Sequence, residues 1–356
     1  MVVVDRRNVG GGSTSASTSM LQYEIDEQLV DLADAIGFDA AAAAYRACDC
    51  GIELVERATQ AVGDNCGFRR SPSVFMAIKQ RDVPTLHREL EACTEAGFDV
   101  RWLDDTELAR RWGLVGLAAI ESASGGSVDP YRLCHRALTT VAEWGRRGVR
   151  PHRGARLPVL APPGAGEHRP GRHGDGQARH QRYGLRGGTA AARPADPAPH
   201  LVHPRQRADT RRRPALPRRP AVLDRDDPYL YERFTDDERL LIGGKDEPYR
   251  DPLRRRRALP TKTRALAGAV PKRFPELGPI EVAFSWRGTF AETPDGLAYL
   301  GGHASMPRCH VALGFGGNGI TYSALAAQYL AAGVERGEYP DEARLFVPGR
   351  ARVAPS

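Results

Sequence analysis

A glycine-rich stretch near the carboxyl end, residues 314–323 (GFGGNGITYS), constrains the fold more than any other part of the sequence. Four glycines in six residues give a loop that can take positive φ and approach another molecule closely. The following residues predict a helix. Its start exposes unpaired N–H groups and the positive end of the helix dipole, which favour an anion by roughly 0.3–1 kcal/mol, or about 2 kcal/mol when partly buried. The alternative for this loop alone is an ordinary turn before a packed helix. The apolar stripe of the helix is predicted at Ala324, Ala327, Leu330, Ala331 and Val334.

Two segments lie directly before this loop: TPDGLAYLGG at residues 293–302 and an apolar strand-like run at 310–313. In this order, the three elements resemble the carboxyl-terminal end of FAD-dependent oxidoreductases of the D-amino-acid oxidase and glycine oxidase type. The resemblance implies that the glycine loop and its helix lie at the flavin ring, where the helix dipole stabilises negative charge. The FAD contacts that it implies here are Gly316, Gly317, Asn318, Gly319, Ile320 and Thr321.

The amino-terminal end carries a second match to the same family. Residues 2–7 (VVVDRR) have the pattern of a buried parallel strand that ends in an acid. In dinucleotide-binding folds, an acid at the end of the second strand hydrogen-bonds a ribose hydroxyl. The alternative for Asp5 alone is a solvated strand-end acid. Residues 10–18 (GGGSTSAST) resemble the small-residue loop beneath the FAD pyrophosphate. The contacts predicted from this end are Asp5, Arg6, Gly12, Ser13, Thr14 and Ser15.

The position of this strand in the chain affects the expected fold. Dinucleotide-binding folds begin with a strand and a G-x-G-x-x-G turn that holds the pyrophosphate, and neither precedes residues 2–7. The resemblance therefore implies a chain truncated at its amino end. Several hydrogen bonds to the phosphates, each contributing roughly 1.5–3 kcal/mol, would be missing. We accordingly expect weak FAD binding.

The periodicity of the remaining sequence alternates helices and strands, including a helix predicted over residues 21–36 and a helix entry at Asp129 and Pro130. Together with the resemblance, this predicts an α/β fold. A Rossmann-like FAD-binding domain, without its first strand and glycine turn, would be combined with a mixed α+β substrate domain. The predicted segments are 1–62, 125–150 and 290–345 for the FAD-binding domain, and 63–124 and 226–289 for the substrate domain.

Residues 151–225 depart from this pattern. Within 151–220 there are 15 Arg, no Lys, 3 Asp and 1 Glu, a net charge of 15 − 4 = +11, so the other residues sum to 7 − 11 = −4. Such a low-complexity Arg/Pro/Ala/Gly-rich segment buries too little apolar surface to offset its ordering entropy, which predicts disorder. Three interpretations stay open: a basic arm that binds nucleic acid, a histidine-rich metal tract, and translation of a GC-rich gene in the wrong frame. We favour the frame disruption, because one choice of codons for HQRYGLR reads INATGYE one nucleotide later, a phrase similar to the family's turn before its final segments.

Composition narrows the class of protein further. No signal peptide and no run of about 18 apolar residues are present, which argues against export and a membrane partner. The six cysteines are scattered without paired spacing, which is typical of reduced thiols in the cytoplasm, and no metal-ligand pattern is found.

The resemblance also implies the chemistry. Family members oxidise a C–N bond by hydride transfer to flavin N5, and O₂ or another acceptor reoxidises the flavin. In the glycine oxidase pattern W-x-G-L-R-P, an arginine four residues after the tryptophan binds the substrate carboxylate, whereas this chain has Phe290 there. The expected substrate is therefore an amine or a differently anchored amino acid, in a pocket lined by Phe290, Tyr229 and Tyr231. The alternative for these three aromatic residues is core packing. The alternatives are an inactive remnant of such an enzyme or a nucleic-acid-binding protein that uses the basic segment.

Overall fold

The computed structural model describes residues 3–5, 8–144, 150–151, 193–196, 200–202, 219–224, 229–248, 252–303 and 306–350. Within them the α-helices are α1 (Leu29–Ile36), α2 (Phe38–Ala61), α3 (Val83–Glu95), α4 (Asp105–Trp112), α5 (Pro130–Glu143), α6 (Pro252–Arg273) and α7 (Gly319–Arg336). The strands are β1 (Val4–Asp5), β2 (Met20–Leu21), β3 (Arg69–Arg70), β4 (Ser73–Ala77), β5 (Val100–Asp104), β6 (Ala118–Ser122), β7 (Gly126–Ser127), β8 (Arg150–Pro151), β9 (Arg193–Asp196), β10 (His200–Val202), β11 (Ala221–Asp224), β12 (Leu230–Phe234), β13 (Leu240–Gly244), β14 (Glu247–Pro248), β15 (Phe284–Trp286), β16 (Phe290–Glu292), β17 (Tyr299–His303) and β18 (Met306–Leu313). None of the helices in this part of the chain is both long and apolar enough to span a membrane.

The largest sheet has eight strands in the order β15-β10-β13-β12-β11-β4-β6-β5. Strands β4 and β11 pair in parallel, and the other neighbours are antiparallel. Side chains alternate between the two faces of a strand, so β4 contributes to a core on each face of the sheet. Val74 and Met76 pack with α6 in one core, and Ala77 packs with Leu86 of α3 in the other. The predicted segments 63–124 and 226–289 thus contribute strands to one sheet. The domain boundaries themselves stay a prediction.

A further core, besides the two on the faces of this sheet, joins α1, α2, α7 and the hairpin of β17 and β18. Its buried members include Tyr45, Cys48, Leu300 and Tyr322. Helices α2 and α7 approach closely at Gly51, where a β-carbon would meet the methyl group of Thr321 at 2.6 Å. This close packing fixes the start of α7, and therefore the glycine loop that precedes it.

The structure confirms helix α7, whereas the predicted apolar stripe does not coincide with its buried face. Val334 is exposed and Ala327 lines a cavity, while Ala324 lines that cavity and also packs against a small core that contains Ile52. The physical reason is that α7 buries its two tyrosine rings, which pack against Phe346 and bury more apolar surface than the alanines could. The buried face consists of Thr321, Tyr322, Leu325, Ala326, Tyr329 and Gly333.

The helix predicted over residues 21–36 is wrong in its first half, because α1 begins only at Leu29. The buried carboxylate of Glu89 on α3 accepts the N–H groups of Leu29 and Val30 at 2.8 and 3.0 Å, and so caps the helix there. Residues 22–28 have no regular secondary structure, and several of them contact other parts of the chain.

One part of the segment predicted to be disordered is ordered. Strand β11, the apolar run Ala221–Asp224, lies between β12 and β4 and is largely buried. The prediction of disorder from low apolar content does not hold for β11, because three of its four residues are apolar and both of its edges are paired. Strands β9 and β10 also fall within the segment. The rest lies outside the described residues except for Pro151 at the end of β8 and residues 219–220, so the frame hypothesis and its alternatives stay predictions.

Candidate cofactor and substrate site

The glycine loop connects β18 to α7. Gly314 and Gly316 have φ of 71° and 55°, a conformation that favours glycine. At Gly316 a β-carbon would also overlap the carboxylate of Asp26. The glycines are therefore required by the backbone path and by the neighbour that presses against it.

The irregular residues 22–28 hold this loop in place. The N–H of Gly317 donates to Oδ2 of Asp26 at 2.6 Å, and Nδ2 of Asn318 donates to the carbonyl of Glu24 at 2.8 Å. On the other side, the N–H of Gly316 donates to the carbonyl of Ala291 in β16 at 2.9 Å. The loop is thus fixed between two distant parts of the chain.

The small-residue loop at the amino end is anchored in a similar way. It forms a short 3-10 helix over Ser13–Ala16. The hydroxyl of Ser13 donates to the carbonyl of Thr289 at 2.7 Å, and Nε1 of Trp286 donates to the carbonyl of Ala16 at 3.1 Å. The guanidinium of Arg233 donates to the carbonyl of Thr18. Both predicted loops therefore contact the same stretch, residues 286–291.

One cavity of about 700 Å³ lies between these two loops. Ser13 and Thr14 line it on one side, and the glycine loop with the first turn of α7 lines it on the other. A volume of this size falls within the usual range of ligand sites, about 300–1,000 Å³. The predicted site residues that line it are Ser13, Thr14, Gly316, Gly317, Asn318, Gly319, Ile320, Tyr229, Tyr231 and Phe290.

Other predicted contacts lie elsewhere. Gly12 and Ser15 are near the cavity in sequence but do not line it. Thr321 is 1% exposed and faces α2, because each residue of a helix is rotated by about 100° from the one before and Ile320 takes the cavity side. The backbone of Asp5 lies in β1, paired with β8, and Arg6 is outside the described residues.

Two polar residues that line the cavity, Gln22 and Asp26, were missed by the sequence analysis. Both lie on the stretch that was predicted as helix, to which no site role was assigned. Gln22 is 8% exposed, and its amide Nε2 has no hydrogen-bond partner among the residues that the structure describes. A buried amide without a partner in the protein is a signal of a ligand contact, because leaving it unpaired costs about 1–3 kcal/mol.

Asp26 is exposed and lines the cavity, which protein surrounds on many sides. This enclosed setting raises the pKa of Asp26 to about 7, although the Gly317 N–H favours the charged form. The carboxylates of Glu292, Asp246 and Glu27 raise the pKa further. Asp26 is therefore an acid that changes protonation near neutral pH.

Parts of the cavity wall suit the flavin ring and the phosphates of FAD. No side chain caps the start of helix α7. The first residues of the helix, Gly319 and Ile320, line the cavity, so their N–H groups lie at its wall. A β-carbon on Gly319 would meet nothing closer than 4.0 Å, which leaves space before the helix end. The residues present could thus hold an electron-rich ring at α7 and phosphates at Ser13 and Thr14.

The fold and this site define an α/β oxidoreductase with a nucleotide-type cofactor. The chain belongs to the FAD-dependent oxidoreductase family, whose family model matches residues 1–332. Members of this family use FAD as the cofactor. No curated protein matches the chain in sequence.

Similar solved structures agree with this fold. Glycine oxidase from Geobacillus kaustophilus is 18% identical with a TM-score of 0.70, covering 98% of this chain and 92% of that chain. L-proline dehydrogenase from P. horikoshii is 15% identical with a TM-score of 0.71, covering 98% and 90%. L-alpha-glycerophosphate oxidase from Mycoplasma pneumoniae with FAD bound is 10% identical with a TM-score of 0.62, covering 99% and 90%. Because these names span several substrates, the shared fold alone leaves the substrate open.

Proposed function

We propose that this chain oxidises a C–N bond of a small amine or amino acid, with FAD as the cofactor. The observation that carries the proposal is the convergence of the two glycine- and serine-rich loops on one cavity. The names of two similar structures, a glycine oxidase and an L-proline dehydrogenase, support a nitrogen-containing substrate.

Each wall of the cavity has a role in this proposal. Ser13 and Thr14 hold the pyrophosphate, and the first turn of α7 stabilises negative charge at the ring. Tyr229, Tyr231 and Phe290 form the substrate wall and exclude water. The contacts of Asp5 and Arg6 with the ribose stay predictions.

Bound FAD would supply the two-electron oxidant: the carbon next to nitrogen would lose a hydride to it while the nitrogen lone pair forms a C=N bond, and O₂ or another acceptor would take up the two electrons. The chain itself orients the substrate so that this carbon faces the ring, which is the main protein contribution to such reactions. We include a cytoplasmic setting in the proposal, because Cys48, Cys66 and Cys93 are buried as free thiols.

The experiment starts with purified protein incubated with FAD and freed of unbound cofactor. Retained yellow flavin, followed by loss of its absorbance on anaerobic addition of glycine, N-methylglycine or an alkylamine, is the expected result. If the flavin is retained but no C–N compound changes its absorbance, the proposed reaction is wrong. Colourless protein that also fails to bind FAD in a titration with excess cofactor would identify the chain as an inactive remnant.

A further inference from the structure

The charge of the cavity wall points to the kind of molecule that binds there. Within the part of the chain that the structure describes, Asp26 is the only carboxylate that lines the cavity, and the wall contains no Lys, Arg or His. An α-amino acid substrate carries a carboxylate, which proteins usually bind through a cationic partner such as Arg. This wall offers such a substrate an anion instead.

Asp26 is arranged to meet a ligand rather than to stabilise the fold through an ion pair. Its Oδ2 accepts the N–H of Gly317 at 2.6 Å, and this is its one hydrogen bond among the described residues. A carboxylate can accept at both oxygens, so Oδ1 is left for another partner. No cation of the protein contacts the carboxylate in the described parts of the chain.

The surroundings of Asp26 strengthen the preference for a cation. Glu292, Asp246 and Glu27 are close enough for their charges to act on it. Tyr229 and Tyr231 line the same cavity with ring centroids 5.6 Å apart, and the charge of Asp26 contributes to raising the pKa of both phenols. A carboxylate beside aromatic faces is a typical environment for an ammonium ion, which is attracted to both.

Phe290 and Gln22 complete the argument. Phe290 adds a third aromatic ring to the wall, at the position where the glycine oxidase pattern has its carboxylate-binding arginine. Gln22 is buried at the wall with an amide atom that lacks a partner among the described residues. Its Nε2 is a hydrogen-bond donor, so it can pair with an acceptor atom of a molecule bound in the cavity.

We infer that the substrate is an amine that binds as a cation to Asp26, without an α-carboxylate held by the protein. This inference rests on the proposed function, because it names the substrate class of the same site. The nitrogen next to the carbon that loses the hydride needs a free lone pair, so it must be unprotonated when oxidation occurs. The cation held by Asp26 is therefore either a second ammonium group of a diamine, or an ammonium whose proton passes to the Asp26 carboxylate before oxidation.

Binding can be tested without turnover. The FAD-loaded protein is titrated with tetramethylammonium, tert-butanol and pivalate, which share one shape and carry a positive charge, no charge and a negative charge. Tetramethylammonium has no nitrogen lone pair and cannot be oxidised, so calorimetry and the flavin absorbance report binding alone. We expect tetramethylammonium to bind at least about tenfold more tightly than either analogue.

The matched variants are Asp26→Asn, which keeps an oxygen for the Gly317 N–H, and Asp31→Asn, the same charge change at an exposed position outside the cavity. Asp26→Asn should lower tetramethylammonium affinity about tenfold, and Asp31→Asn should leave it unchanged. Phe290→Arg should reverse the preference toward pivalate. Equal loss in both Asn variants would overturn the inference.

A substrate series separates this inference from the proposed function. Flavin bleaching by amines and diamines, but not by the matched α-amino acids, supports both. Bleaching by α-amino acids alone, unaffected by Asp26→Asn, overturns the inference and leaves C–N oxidation intact. Tetramethylammonium binding that depends on Asp26, with no bleaching by any C–N compound, supports the cation site and contradicts the proposed function.

Discussion

Single residues show how strongly one charge can act once it is enclosed. Arg273 on α6 is buried with Asp224 of β11 and Glu232 of β12, and its Nη1 lies 3.2 Å from Oε1 of Glu232. Removing one partner of a buried ion pair leaves the other charge uncompensated, which costs about 3–5 kcal/mol. The residue that ties β11 to the sheet therefore lies on a helix far along the chain.

We expect Arg273→Met to lower the free energy of unfolding by about 3–5 kcal/mol. The control is Arg344→Met, which breaks the exposed pair of Arg344 and Asp341 and should cost about 0–1 kcal/mol. Urea unfolding of both variants gives the comparison. If both variants lose the same free energy of unfolding, the buried cluster of Arg273, Asp224 and Glu232 contributes no more than a surface pair.

Asp26 gives a residue-scale prediction about pH. Enclosure raises the pKa of Asp26 to about 7, whereas an unfolded Asp titrates near about 3.9. Between these values the folded protein binds more protons than the unfolded chain, so the stability from this group is present at low pH and lost as pH rises toward about 7. Asp26→Asn removes the ionisation, and its gain in stability should be larger at pH 8 than at pH 5.

The measurement is urea unfolding of the parent and of Asp26→Asn at the two pH values, with Asp31→Asn as the exposed control. A gain that is the same at both pH values, or larger at pH 5, would show that Asp26 ionises freely in the folded protein.

At the scale of elements, the contact of α2 with α7 decides where the glycine loop lies. Gly51 leaves no room for a methyl group, because a β-carbon would be 2.6 Å from Cγ2 of Thr321. Thr321 follows Gly319 and Ile320, which line the cavity. Any shift of α7 at this contact therefore moves the helix end that faces the cofactor.

We predict that Gly51→Ala lowers stability by about 1–3 kcal/mol through overpacking and weakens FAD binding. The matched control is Gly268→Ala on α6, where a β-carbon would meet nothing within 4 Å. That change should stabilise the helix by up to about 1 kcal/mol, since Ala has the higher helix propensity. Thermal unfolding and FAD titration of both variants test the pair, and unchanged FAD affinity in Gly51→Ala would contradict the coupling.

At the scale of the whole molecule, the cavity exists only because the two ends of the chain meet. Ser13 and Thr289 are hydrogen-bonded across 276 positions, and Asp26 and Gly317 across 291. A ligand that fills this junction binds the folded state only. Its binding should therefore raise the stability of the whole fold.

FAD at about 100 times its Kd should add about 2.7 kcal/mol to the free energy of unfolding, which shifts Tm upward by a few degrees. Gly316→Ala should abolish the shift, because its β-carbon would overlap Asp26 and displace the loop. Differential scanning calorimetry with and without FAD provides the measurement. A shift of equal size in Gly316→Ala would place the FAD site away from the glycine loop.

Much of this organisation could be predicted from the sequence, because it is encoded by local patterns. The predicted helix entry at Asp129 is present, because Asp129 caps α5 by accepting the Arg132 N–H at 2.9 Å. The predicted α/β class is confirmed, and so is the resemblance to the FAD-dependent oxidoreductase family. Glycines, caps and periodic apolar residues act within a few positions, so their spacing is visible in one dimension.

Only the tertiary structure decided what those elements do for one another. Residues 22–28 have a helical pattern, yet the carboxylate of Glu89 starts α1 later and frees Asp26 and Glu24 to hold the glycine loop. The buried face of α7 depends on which neighbour can enclose its tyrosines, and the exposure of Asp26 to a cavity depends on a loop 291 positions away. The sequence by itself determined the elements and the family, because those follow from local chemistry. The charge of the cavity wall follows from contacts between distant residues, which no local spacing records.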